Sequence, residues 1–163
     1  YEKFYINPLL EQLKKNKFIE RKIDKNLNNS NIFDFDPNER DRQTKKHKEL
    51  ENNLAVILKE NNIEPFDPDD VNAKFDIGWE SHKNIIICEV KSTKNNEITQ
   101  IRLGLGQVLH YVFLLKEKYG IEKKIIPFLF VEMKPKDENI IEFCKDSKVL
   151  ISWPENGIPK ELL

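Results

Sequence analysis

The residues best equipped for chemistry are Asp76, in Phe75-Asp76-Ile77-Gly78, and Glu89 and Lys91, in Ile87-Cys88-Glu89-Val90-Lys91. Side chains alternate faces along a strand, so Glu89 and Lys91 project together while Cys88 and Val90 project the other way. With Asp76 on a neighbouring strand, two carboxylates and one ammonium converge on a single spot. Hard oxygen donors beside a compact cation suit Mg²⁺-assisted hydrolysis of a phosphodiester. A bare Glu-x-Lys is ordinarily the solvent-facing side of an edge strand. Here it ends the apolar run Ile85-Ile86-Ile87-Cys88, and an acid stands thirteen positions before it.

The segment that follows carries the next candidates. Asn95 to about Glu117 reads as a helix that is apolar on most of its circumference and is therefore expected to be central. Gly120 closes it. Gln100, Gly104, Gln107 and Tyr111 are spaced by four, three and four, which puts them on one face. A buried amide and phenol require hydrogen-bond partners, or each costs roughly 1–3 kcal/mol. Gln107 and Tyr111 would then orient the Glu89–Lys91 pair or meet a phosphate; the plainer alternative is a Tyr hydroxyl reaching water and a Gln capping a loop. Gly104 and Gly106 allow close backbone approach, without the strand-turn order of a dinucleotide loop.

An earlier helix, about Asp41 to Asn61, has Leu50, Leu54, Ile57 and Leu58 as its stripe. His47 and Glu51 lie one turn apart on the same face, and Glu49 points to solvent. Glu51, and after it His47, are the residues of this helix expected to add a metal ligand or order a water, unless they are a polar pair at the rim of the stripe.

These elements must be positioned by a sheet. Lys74 to Trp79 and Asn84 to Lys91 read as a β-hairpin joined by Glu80-Ser81-His82-Lys83. Ile125 to Met133 and Val149 to Trp153 are further strand candidates, with a short helix, Glu138 to Lys145, between them. Pro8 to about Lys25 suits an amphipathic helix, and Asp24 to Arg40 is loop-like. The expectation is an α/β domain over residues 41–163, preceded by an N-terminal helical arm and linker over residues 1–40.

The ordered set Asp76, Glu89-Val90-Lys91 and Gln107-Val108-Leu109-His110-Tyr111 resembles the PD-(D/E)xK nuclease superfamily, and the Gln-x-x-x-Tyr element resembles its RecB-like branch. The run Asn96 to Gln107 also looks like restriction-type nucleases of that superfamily. The resemblance spans about His47 to Trp153; Phe75 stands where a Pro would precede the first acid. It implies a restriction endonuclease-like core, a mixed central β-sheet of about four to five strands flanked by helices. It further implies that Asp76, Glu89 and the Val90 carbonyl ligate Mg²⁺, for which Mn²⁺ can substitute; the face that Glu51 takes on its helix makes it the candidate fourth member. Lys91 would hold the attacking water, and Gln107 and Tyr111 would position Lys91 or the scissile backbone; His47 and Gln100 would be accessory.

Composition sets bounds. Charged residues make up 34% and hydrophobic residues 39% of the chain, and the net charge is −1, so no global basic field advertises a nucleic-acid partner. Local contacts to a DNA backbone would fall to Lys45, Lys46, Lys48, Lys94 and Arg102, although such clusters are more often solvated faces. Two cysteines, Cys88 and Cys144, lack metal-ligand spacing and suit a reducing compartment. His82 is expected to be exposed in the hairpin turn and His110 to point away from the Gln107–Tyr111 face, with Trp79 and Trp153 in the core or at a sheet end and base stacking the alternative. No apolar run approaches the roughly 18 residues of a membrane span. A cytoplasmic protein of a prokaryote or phage is expected.

The reading is a Mg²⁺-dependent deoxyribonuclease acting in restriction or defence against foreign DNA. The alternatives are a DNA repair or recombination nuclease, a non-catalytic nucleic-acid-binding or assembly module, and a nuclease acting on RNA. DNA is the expected partner. A homodimer is a further expectation, since such nucleases often cut each strand with one copy. So are additional domains or subunits of a defence complex, because the chain begins at Tyr1 rather than Met.

Overall fold

The computed structural model describes residues 13, 15–23, 44–82, 84–120 and 122–163. In chain order the elements are β1 (Lys15–Lys17), α1 (Lys45–Glu60), β2 (Phe66–Pro68), β3 (Ile77–Ser81), β4 (Asn84–Lys91), α2 (Glu97–Tyr119), β5 (Lys124–Val131), α3 (Glu138–Asp146) and β6 (Leu150–Ser152), with a 3-10 turn at Lys160–Leu162. The six strands form one mixed sheet in sequential order. β1 to β4 pair antiparallel, and β5 and β6 continue parallel to β4.

Strand alternation divides the core in two. Ile85 and Ile87 of β4 pack with Ile101, Leu105, Val108 and Val112 of α2 and with Ile140 and Cys144 of α3. Ile86, Cys88 and Val90 face the other way, onto Leu50, Leu54 and Leu58 of α1. Because β4–α2–β5 and β5–α3–β6 are parallel crossovers stepping in the same direction, both helices fall on one face. Among the described residues, α1 covers the other together with Phe18, Ile158 and Leu162. Trp79 is in this second core, stacked edge-on to Phe128 at 5.6 Å, and its indole N–H donates to the Leu162 carbonyl at 2.7 Å.

Several expectations are corrected. The sheet has six strands rather than four to five, because β1 and β2 add an antiparallel edge. Within the helix expected from Pro8 to about Lys25, residues 15–17 are instead a strand; the rest of that segment before residue 13, and the loop expected at 24–40, lie outside the described residues. The hairpin connection is shorter than expected, since Ser81 already pairs with Asn84; His82 takes φ 35 in that tight turn. α2 is not central. Its outer face is open, with Leu109 39% and Phe113 59% exposed. It is also long and apolar enough to cross a membrane by length and composition although polar residues interrupt it, yet its inner face is packed on β4 and β5.

Candidate metal centre

Antiparallel pairing places the start of β3 beside the end of β4, with Ile77 opposite Cys88. Asp76 is the residue just before β3. Its N–H donates to the Cys88 carbonyl at 3.1 Å, and its Oδ2 accepts from the Val90 N–H at 2.8 Å. The carboxylate thus serves as ladder acceptor just ahead of the start of β3, and it is anchored between Glu89 and Lys91 in sequence.

α1 delivers the next two groups. Thr44 is its N-cap, and the Thr44 hydroxyl accepts from the His47 N–H at 3.1 Å. This fixes the first turn, from which the His47 and Glu51 side chains point toward the sheet. His47 Nε2 lies 3.4 Å from Glu51 Oε1 and 3.5 Å from Asp76 Oδ2. All three residues are buried, and their ligand atoms lie within 4.8 Å of one another. An imidazole and two carboxylates so disposed could hold a metal ion.

Glu89 stands outside that group. It projects with Lys91 onto the α2 side of β4, and its Oε1 accepts from Lys91 Nζ at 3.1 Å, both side chains being 0% exposed. The room for this buried pair comes from Gly104: a Cβ there would lie 3.0 Å from Lys91 Cγ and 2.6 Å from Leu129 Cδ1. Gly106, expected to serve close approach as well, faces open space. Gln107 Nε2 lies 3.5 Å from the Tyr111 hydroxyl. The side-chain oxygens of Gln100 and Gln107, and the Thr93 hydroxyl, are buried with no hydrogen-bond partner among the described residues.

Three participants had no signal in the sequence. Arg21 donates from Nε to Glu51 Oε2 at 2.9 Å, makes a two-point contact with Asp67 at 2.9 and 3.0 Å, and donates to the Asp76 carbonyl at 2.9 Å. Burial works against its charge, but the bonds to Asp67 and Glu51 outweigh burial and hold the guanidinium above its ordinary pKa. Asp67 comes from the unexpected strand β2. Glu132, just after β5, accepts from the Thr93 and Lys94 N–H groups at 3.1 and 3.0 Å and so holds the turn leaving β4. These partners are far apart in sequence, beyond the reach of any local period.

Arg21, Lys48, Glu51, Asp67 and Asp76 line a cleft of about 530 Å³ together with Asp69, Asp70 and Lys74. Five carboxylates against three cations make it acidic. Of the expected backbone contacts, Lys48 reaches this cleft, whereas Lys45, Lys46, Lys94 and Arg102 are exposed outside its lining. Lys45 lies 3.7 Å from Glu49 and Lys46 4.0 Å from Glu132. His82 and His110 are exposed. Cys88 is enclosed, and its thiol is pushed well above its ordinary pKa, first by burial and then by Asp76 and Glu89; neither it nor Cys144 is in a disulfide.

Comparison of this chain with family models, with curated proteins and with solved structures finds no match in any of the three.

Proposed function

We propose that this protein is a metal-dependent nuclease of the PD-(D/E)xK type, with a restriction endonuclease-like core, that hydrolyses DNA phosphodiester bonds in defence against foreign DNA. The observation that carries the reading is the convergence of His47 Nε2, Glu51 Oε1 and Asp76 Oδ2 at the end of the strand that bears Glu89 and Lys91. Two ligands at about 2.1 Å from one ion stand about 3.0–3.4 Å apart for angles between octahedral and tetrahedral. The 3.4 and 3.5 Å separations seen here fit such a donor set. An imidazole nitrogen among the donors suits Mn²⁺ better than Mg²⁺, which prefers oxygen throughout.

When bound, the ion would polarise a phosphate and lower the pKa of a bound water. The residues of the chain supply the rest. Asp76 is held by the Val90 amide and cannot swing away from the donor set. Lys91, being enclosed on the α2 side of β4, acts through its neighbour: its ammonium holds the Glu89 carboxylate in place at the end of the strand against which Asp76 is hydrogen-bonded. Gly104 makes the space for that side chain, and Gln107 and Tyr111, on the same helix face, order its surroundings.

A second reading has its own observation. Arg21 already compensates Glu51 and Asp67, so the same groups would also serve as a structural ion network in a non-catalytic binding or assembly module. Incubation with plasmid, single-stranded DNA and single-stranded RNA, each with Mn²⁺ or Mg²⁺, separates the two. Cleavage of DNA is expected, falling on the order of 10²–10³-fold in Asp76→Asn and in Lys91→Ala, the scale of losing one charge-stabilising group. Absence of any cleavage by the wild type with either metal overturns the nuclease reading; cleavage of RNA alone corrects the substrate.

A further inference from the structure

Arg21 lines this site without a part in the proposed chemistry, yet it is extensively bonded. Its guanidinium has five N–H donors, and five hydrogen bonds are made: to Glu51 Oε2, to both oxygens of Asp67, and to the Asp76 and Ile19 carbonyls. Its backbone is held as firmly. The Arg21 N–H donates to Asn52 Oδ1 at 2.9 Å, and Asn52 Nδ2 donates back to the Arg21 carbonyl at 3.2 Å, so one amide of α1 grips the segment like a strand partner. The Phe18 ring lies 4.8 Å from the guanidinium carbon. A planar fork of this kind recognises carboxylates at two points, which an ammonium cannot do.

The consequence lies in which oxygens remain for a ligand. Glu51 has Oε1 directed at His47 and Asp76, while Oε2 is taken by Arg21. Asp67, a further carboxylate of the cleft that Arg21 also bonds, has a guanidinium N–H on each of its oxygens. We infer that Arg21 is a built-in cation at the outer side of the metal centre, a positioning residue that aims Glu51 inward and occupies the place where a second divalent ion would otherwise bind between Glu51 and Asp67. The site therefore takes one ion per chain. This rests on the metal-centre reading above.

The test is a Mn²⁺ titration of the folded chain, followed by calorimetry and by the loss of the free-ion electron paramagnetic resonance signal. The wild type is expected to bind one ion. Arg21→Met, which leaves Glu51 Oε2 and Asp67 uncompensated, is expected to bind two, with spin coupling between neighbouring ions. Should Arg21→Met not fold, Arg21→Gln, which keeps two donors without the charge, carries the same expectation. Two ions on the wild type, or one ion on a folded Arg21 variant, would overturn the inference while leaving the metal centre standing. No ion on the wild type would bring down the metal-centre reading itself, and the inference with it.

Discussion

Two glycines in one helix offer a controlled measurement of how the buried lysine is accommodated. Replacing either Gly104 or Gly106 of α2 by Ala gives the same benefit in helix propensity, about 0.5–1 kcal/mol. Only the surroundings differ. At position 106 the new methyl meets nothing within 4 Å, so the benefit should appear in full. At position 104 it would sit 2.6 Å from Leu129 Cδ1 and 3.0 and 3.2 Å from Lys91 Cγ and Cε. Both neighbours are fully enclosed, so neither can swing out to solvent, and overpacking of this kind costs roughly 1–3 kcal/mol. Gly104→Ala should therefore be destabilising by about 1 kcal/mol net and Gly106→Ala stabilising by a little less. The two variants should differ by roughly 2 kcal/mol, or about 4–8 °C in Tm for a chain of this size. Urea unfolding at neutral pH measures the difference directly. Equal stabilisation by both would show that Lys91 does not occupy the groove beside Gly104 and would sink the account of how the Glu89–Lys91 pair is buried.

The pair itself should behave as a unit. Lys91→Met and Glu89→Gln each strand a buried charge and should cost about 3–5 kcal/mol, whereas the double variant should cost clearly less than their sum; additive losses in a double-mutant cycle would contradict the pairing. Asp70 should contribute to acid sensitivity. Its carboxyl is held below the usual range, chiefly by the Asn72 backbone N–H and then by the Lys118 ammonium. A folded-state pKa lower than the unfolded value of about 3.9 means stability that is present above that value and lost as pH falls through the lower folded one. Asp70→Asn should accordingly flatten the loss of stability between pH 5 and 3, and an unchanged acid limb in urea midpoints would refute the assignment.

How far local pattern reaches is seen element by element. The apolar run ending in Glu-x-Lys reads as a strand over Asn84 to Lys91, and β4 has those bounds, because continuous β-branched residues buried on both faces of a sheet need no further information. The i, i+4 spacing likewise places His47 and Glu51 with Leu50 and Leu54 on the inward face of α1. Short edge strands escape this kind of reading. Lys15-Asn16-Lys17 has no apolar side at all, and Phe66-Asp67-Pro68 ends in a residue that cannot donate to a ladder. Both are strands because they pair with each other and β2 with β3. The helix after β4 departs from the sequence expectation for a related reason. Hydropathy around its circumference says how apolar α2 is, but not that the sheet and α3 cover it on one side and leave Leu109 and Phe113 exposed.

Which side chains share a face is written in local spacing: Glu89 with Lys91 through the two-residue period of a strand, His47 with Glu51 through the turn of a helix, and Gln100, Gly104, Gln107 and Tyr111 along α2. Those relations follow from backbone geometry within one element, so they survive without knowledge of the neighbours. Which of these faces meet is set by long-range packing. It brought Asp76 to His47 and Glu51, turned Glu89 toward Lys91 under Gly104, and set Arg21 against Glu51, Asp67 and the Asp76 carbonyl, from which it is 30, 46 and 55 positions distant. Hydrogen-bond partners across such separations are chosen by how the chain closes on itself, and no local period of the sequence encodes that choice.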